Sequence, residues 1–164
     1  MNINNIGISE QDRLKVSEIL GHVLADSYIL YTKTRNYHWN VTGPHFSEYH
    51  KMFEEQYSKL EENIDDIAER IRSLGNKVSA TTSEFMKASQ IKEHPGKYPD
   101  AKSMISGLCE DHESVIRSLR EKIALVGEKY HDVGTEDFLT GLLEEHEKTA
   151  WMLRSFLESD RKST

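Results

Sequence analysis

Four potential metal ligands occupy one predicted helix in two pairs. His50 and Glu54 are four residues apart, and so are Asp65 and Glu69. Residues four apart are neighbours on a helix surface, so each pair can hold one side of a metal ion. At about 100° per residue, all four positions fall within an arc of roughly 100° around the helix axis. The spacing therefore predicts that both pairs share one face of the helix, here called the ligand face.

The two pairs are too far apart along the helix to bind the same ion. With a rise of about 1.5 Å per residue, Glu54 and Asp65 are separated by roughly 16 Å, whereas bonds from a metal to its ligands are about 2 Å long. If two copies of the helix lie antiparallel across a twofold axis near Lys59 and Leu60, the first pair of one copy meets the second pair of the other. The sequence thus indicates a site shared by two subunits and formed twice by symmetry.

An iron site inside one subunit lacks its usual ligands. Such di-iron sites take a Glu-x-x-His motif from each of two helices, and this spacing occurs only once, at Glu128 and His131. Mixed imidazole and carboxylate ligands at an interface suit iron, with zinc and manganese as competing ions. His38, which is predicted to end the preceding helix, is a further candidate imidazole.

Apolar residues at helical spacing predict the elements that position these ligands. Long helices are expected over about residues 9–39, 45–74, 100–129 and 135–158, with a short helix after Ser83. Pro44 breaks the pattern between the first two, because proline lacks a backbone donor and disfavours helix in the residue before it. Four long helices with one long middle connection predict an all-α fold, a ferritin-like four-helix bundle with a short helix between helices 2 and 3. We expect one domain over residues 1–164.

Composition restricts the environment and the partners. The single cysteine, Cys109, cannot form an internal disulfide, the N-terminus lacks a secretory pattern, and no apolar run approaches the roughly 18 residues of a membrane span. We therefore expect a protein of the cytoplasm or nucleoid with no membrane partner. A formal net charge of −7 favours cations and metal ions over phosphate backbones.

Two segments resemble the paired signature of the Dps family, the DNA-protecting mini-ferritins of the ferritin-like superfamily. The first is NYHWNVTGPHF at residues 36–46, followed by Tyr49 and His50, and the second is DDIAERI at residues 65–71. With the matching helix pattern, the resemblance covers essentially the whole chain. It is specific because the His, His, Asp and Glu residues occur in the family's order and spacing.

The resemblance implies a hollow dodecamer with ferroxidase sites at its twofold interfaces. It also implies the residues that bind and oxidise iron. His38, His50 and Glu54 of one subunit face Asp65 and Glu69 of its neighbour. The implied activity is oxidation of Fe²⁺ to Fe³⁺, preferably by hydrogen peroxide, followed by storage of the ferric mineral, which protects DNA from oxidative damage. Many family members have aspartate at the position of Glu54, so this carboxylate reaches one methylene further.

Two neighbouring features also follow from the resemblance. Trp39 matches a family tryptophan close to the iron site, although ordinary packing explains a tryptophan there equally well. Asp137 aligns best with the acidic residues that line threefold iron-entry pores in the family, and Asp132 and Glu136 are nearby.

Two other functions remain as alternatives. One is non-specific DNA binding with secondary iron binding, but residues 1–12 contain no Lys or Arg, and the C-terminal tail offers only Arg161 and Lys162, so direct DNA binding is expected to be weak. The other is a helical interaction protein without redox chemistry, for which the ligand spacing would be coincidental. Cys109 is expected to be a buried small side chain. Five histidines have no partner set of this kind and are expected to be surface, cap or core residues: His22, His45, His112, His131 and His146.

Overall fold

The computed structural model describes residues 4–158, which form helices and no β-strand. The helices are α1 (Glu10–Asn40), α2 (Phe46–Ser73), α3 (Thr82–Ala88), α4 (Ala101–Ala124) and α5 (Val133–Glu158). This confirms the all-α fold with a short helix in the long connection. No helix within the described range is long and apolar enough to cross a membrane. Arg161 and Lys162, the basic residues of the tail, lie outside that range.

Local side-chain contacts explain where the last two helices begin and end. The Asp100 carboxylate accepts a hydrogen bond from the Ser103 backbone N–H (2.8 Å) and caps α4. α4 continues into a π-helical segment, Leu125–Lys129. The carboxylate of Asp132 accepts from the Thr135 backbone N–H at 3.0 Å. This contact satisfies a first-turn donor, and α5 therefore begins two residues before the predicted start.

The core is formed by two helix pairs that pack on each other, α1 with α2 and α4 with α5. α1 is buried on most of its circumference, because α2, α3 and α4 all contact it. α3 packs on it through Phe85, whose ring stacks on Tyr28 with centroids 4.5 Å apart. The large side chains that are almost fully buried include Leu20, Leu24, Leu30, Phe53, Ile67, Leu108, Leu119, Leu139 and Leu153.

Polar contacts to α1 hold the connection that precedes α4. The buried carboxylate of Asp26 accepts hydrogen bonds from the Ser89 hydroxyl and the Gln90 backbone N–H, both at 2.8 Å. Lys33, also buried, forms an ion pair with Asp111 of α4 at 2.6 Å. Burial raises the pKa of Asp111, and the contact with Lys33 opposes that rise. These contacts fix α4 and the connection relative to α1.

The side chains predicted to be surface, cap or core residues fall into an exposed group and a buried group. Cys109 is buried, as expected, and burial together with the nearby Glu113 carboxylate raises the pKa of its thiol. The exposed histidines are His22, His45 and His131, whereas His112 and His146 are buried. A raised thiol pKa reduces the thiolate fraction, so Cys109 is poorly suited to act as a nucleophile.

Candidate metal site

Two histidines face each other where α1 ends and α2 begins. The rings of His38 and His50 stack with centroids 3.7 Å apart and planes 21° apart. Nδ1 of His38 lies 2.7 Å from the backbone oxygen of His50, and Nδ1 of His50 lies 2.8 Å from the backbone oxygen of His38. The connecting turn passes through Gly43 at φ +122°, a backbone conformation that glycine adopts without strain. The turn thus brings the two imidazoles together.

The reciprocal hydrogen bonds determine the tautomer of both rings. A carbonyl oxygen can only accept, so each Nδ1 must carry the proton and donate. With Nδ1 held by a carbonyl oxygen, Nε2 is the ring atom that remains available to a metal ion. A ligating histidine usually has its other nitrogen held in this way, which fixes the orientation of the ring. His38 and His50 therefore present two oriented nitrogen donors.

An aromatic and cationic cluster borders the histidine pair, and only its Trp39 was a candidate from the sequence. Tyr57 meets the His38 ring edge-on, with centroids 5.2 Å apart. The guanidinium of Arg35 lies over the rings of Tyr57 and Trp39, at 5.4 and 4.9 Å. Their spacing was a usable signal, because Tyr57 is two helical turns after His50 and Arg35 is one turn before His38. Trp39 is 65% exposed, so core packing within the chain does not explain it.

The three acidic candidates do not join the histidines within one chain. Glu54, Asp65 and Glu69 are all exposed on α2. Among residues 4–158, no group of three or more His, Cys, Asp or Glu side chains is placed to hold a metal ion. The chain brings His38 and His50 together and leaves the Asp65 and Glu69 pair elsewhere on α2. A second subunit is what the sequence-based hypothesis requires, and that hypothesis stays a prediction.

The acidic residues near the start of α5 differ in their surroundings. Asp132 is buried, and its carboxylate contacts Arg70 at 3.0 Å and Thr135. It holds α5 against α2 and is not available to line a pore. Asp137 is exposed, and its role at an iron-entry pore stays a prediction.

A second histidine pair lies in the core, away from the first. Nδ1 of His112 on α4 and Nδ1 of His146 on α5 are 2.8 Å apart. Burial lowers the pKa of His146 to about 4, and burial and the neighbouring His146 lower the pKa of His112 well below its usual range. Both rings are thus neutral at pH 7. The two residues are 34 positions apart on different helices, so no local spacing could reveal them as a pair.

Comparison with known proteins gives consistent similarities over most of the chain. Residues 17–163 match the family model of the ferritin-like domain. DNA protection during starvation protein 2 of Bacillus anthracis is 39% identical over 144 residues, which cover 87% of this chain and 97% of that protein. An uncharacterized low temperature-induced protein of Nostoc is 49% identical over 154 residues, covering 94% and 86%.

A solved structure extends the similarity to three dimensions. The Dps protein of Vibrio cholerae O1 superposes with a TM-score of 0.88 at 36% identity, covering 96% of this chain and 98% of that one. It is described as a member of a broad superfamily of ferritin-like diiron-carboxylate proteins.

Proposed function

The chain belongs to the Dps family of ferritin-like proteins, and on this basis we propose that it is a ferroxidase and iron-storage protein. Its substrates are ferrous ions and hydrogen peroxide. Each peroxide molecule takes one electron from each of two ferrous ions and, with two protons from solvent, is reduced to two water molecules. The ferric product is retained inside a hollow shell built from copies of the chain. The family resemblance implies that this shell is a dodecamer.

The observation that carries this proposal is the oriented histidine pair. His38 and His50 leave both Nε2 atoms available, and Glu54 lies one helical turn from His50 on the ligand face. Asp65 and Glu69 lie too far along α2 to reach the same ion, but an antiparallel second copy of α2 supplies them. The site then combines imidazole and carboxylate ligands, a set that suits iron.

The residues have distinct roles in the proposed reaction. The carboxylates of Glu54, Asp65 and Glu69 lower the charge around the ferrous ion and favour the more highly charged ferric product. The imidazoles of His38 and His50 fix the direction from which the ion is held, because their rings are locked by backbone hydrogen bonds. Oxidation at this site consumes both Fe²⁺ and peroxide, whose direct reaction would otherwise produce radicals.

Protection of DNA follows from this chemistry without tight DNA binding. The B. anthracis relative carries DNA protection in its name, and a net charge of −7 opposes contact with phosphate backbones. We propose that removal of iron and peroxide is the protective step. A gel shift of plasmid DNA at low salt that is strong and lost at higher salt would support the alternative, a DNA-binding nucleoid protein.

The decisive experiment is stopped-flow absorbance of anaerobic, Fe²⁺-loaded protein mixed with hydrogen peroxide or, separately, with oxygen. Wild type is compared with the Asp65→Ala/Glu69→Ala variant. A matched control is Glu55→Ala/Asp66→Ala, which removes the same residue types from positions on α2 roughly 100° around the helix axis from the centre of the ligand face. We expect fast peroxide-driven oxidation in wild type and control and its loss in the Asp65/Glu69 variant. Equal rates in all three proteins would contradict the assignment.

A further inference from the structure

Arg35 of α1 is a cation without an acidic partner among residues 4–158. Its guanidinium lies over the rings of Tyr31, Trp39 and Tyr57, at 5.4, 4.9 and 5.4 Å from their centroids, and it donates to the Tyr31 hydroxyl. Its buried Nε has no hydrogen-bond partner within that range. A partly buried charge is stabilised when an opposite charge lies against it. The surroundings of Arg35 are therefore incomplete in the single chain.

Tyr31 connects this arginine to a carboxylate on α2. Its hydroxyl, which accepts from Arg35, lies 3.5 Å from Oε1 of Glu61. Glu61 is exposed, and at about 100° per residue it lies roughly 20° around the α2 axis from Glu54. Arg35, Tyr31 and Glu61 thus form a row of polar groups that leads from α1 onto the ligand face.

Antiparallel pairing of two copies of α2 brings their Glu61 side chains together. With the twofold axis between Lys59 and Leu60, the residue opposite Glu61 is Ser58 of the second copy. The two Glu61 residues are then about 4.5 Å apart along the helix direction, at roughly 1.5 Å per residue. Two carboxylates that face each other this closely oppose association of the subunits. The pairing therefore requires a cation close to the axis.

The cations of α2 itself are poorly placed for this role. Lys59 lies roughly 160° around the helix axis from Glu61, and its ammonium pairs with Glu62 at 3.2 Å. The other cations of α2 are nine or more residues from Glu61, which is at least about 13 Å along the helix: Lys51, Arg70 and Arg72. The required cation must come from another helix.

Arg35 is placed to neutralise Glu61 of the second copy. It lies over Tyr57, the neighbour of Ser58, and Ser58 is the residue opposite that Glu61. The twofold rotation keeps α1 of both copies on the same side of the paired α2 helices. The guanidinium therefore approaches from the side on which Glu61 contacts Tyr31. A guanidinium that stacks on aromatic rings can still bind a carboxylate through its edge.

We propose that this surface binds a second copy of the chain, and that Arg35 of each copy forms an ion pair with Glu61 of the other. The proposal rests on the antiparallel pairing of α2 in the proposed function. Two arginines and two glutamates then balance their charges at the twofold axis. Trp39, 65% exposed in the single chain, is covered beside them. Arg35 and Glu61 are positioning residues that fix the register in which the two ligand faces meet.

The test is a charge exchange, read by sedimentation velocity of metal-stripped protein over a dilution series. Arg35→Glu and Glu61→Arg should each weaken association by about 10-fold or more, because each leaves only like charges at the axis. The combined variant should recover most of the association. A matched control makes the same exchange on α4, with Arg117→Glu and Glu110→Arg at two exposed positions, and should leave association unchanged. Circular dichroism checks that each variant is helical.

A cysteine cross-link tests the geometry with Arg35 intact. Glu61→Cys should form a disulfide-linked dimer on mild oxidation, since its two copies lie within reach of an S–S bond. Glu55→Cys should not, because it lies roughly 13 Å along the axis from its counterpart. Cys109 is buried and present in both variants.

The outcomes separate this proposal from the proposed function. Cross-linking at residue 61 together with recovery in the combined variant supports the ion pair. Cross-linking without recovery, or unchanged association of Arg35→Glu, overturns the role of Arg35 and leaves the pairing of α2 intact. No cross-link at residue 61 overturns the pairing and this proposal with it. Iron oxidation by the Asp65→Ala/Glu69→Ala variant remains the independent measure of the proposed function.

Discussion

Lowering the pH from 7 to 5 should destabilise the folded chain through its core histidine pair. The folded state holds His146 neutral, because burial lowers the pKa of this imidazole to about 4. In the unfolded chain the pKa of the His146 imidazole is about 6.5, the ordinary value for histidine. Below that pH the unfolded chain binds a proton that the folded chain excludes. The stabilising contribution is therefore complete above about pH 6.5 and is lost progressively as the pH falls towards 4.

The size of the effect follows from the two pKa values. A difference of about 2.5 units corresponds to roughly 3 kcal/mol per chain over the whole interval, at about 1.4 kcal/mol per unit. Between pH 7 and pH 5 the loss is about 2 kcal/mol. His112, whose pKa burial also lowers, changes stability in the same direction. The pair thus makes the bundle sensitive to mild acid.

The assay is guanidinium unfolding followed by circular dichroism at pH 7 and pH 5, with chelator and at one protein concentration. Wild type is compared with His112→Leu/His146→Leu and with a control, His22→Leu/His45→Leu, that removes two exposed histidines. Protonation of carboxylates affects all three proteins alike. Wild type and control should lose about 2 kcal/mol more than the core variant. An equal loss in the core variant would refute the reasoning.

Three further predictions concern other parts of the chain. Asp132→Ala removes the cap of α5 and the buried partner of Arg70, so chemical denaturation should show a loss of about 2–4 kcal/mol, and Asp132→Asn should lose less because it can still accept hydrogen bonds. Gly75→Ala places a Cβ 2.9 Å from the Asn4 amide nitrogen at φ +92°, and it should lower stability by about 1 kcal/mol or more in the same assay. Glu54→Asp should keep peroxide-driven iron oxidation, whereas Glu54→Ala should slow it in stopped-flow measurements, and equal rates for the two would exclude Glu54 as a ligand.

The sequence was sufficient for the helices because their signals are local. Apolar spacing and the break at Pro44 placed α1 and α2 to within one residue at each end. The start of α5 was placed two residues late, because it depends on the Asp132 cap, whose carboxylate is held from a distance by Arg70. The π-helical segment after α4 was also missed, since the apolar pattern there continues as in an α-helix.

The candidate ligands were chosen from their residue types and spacing, and their binding of iron stays a prediction. Helical spacing placed the candidate ligands of α2 on one face, since that follows from the repeat of the helix alone. The stacking of His38 on His50 depends on the turn between two helices, which spacing does not encode. The contact between His112 and His146 depends on how α4 packs against α5. The sequence of each helix alone predicts only a surface, cap or core position for these histidines.

The two histidine pairs differ in what surrounds their ring nitrogens, and this difference suits only the first pair to bind a metal ion. Each Nδ1 of His38 and His50 donates to a backbone carbonyl oxygen, which leaves Nε2 of each ring for an ion. In the second pair Nδ1 of His112 contacts Nδ1 of His146, and Nε2 of His112 is buried. Co²⁺ added to metal-stripped protein should therefore still bind to the His112→Leu/His146→Leu variant and should bind more weakly to a His38→Ala/His50→Ala variant. Visible absorption of the bound Co²⁺ measures both, and the opposite result would show that the core pair is the one that binds metal.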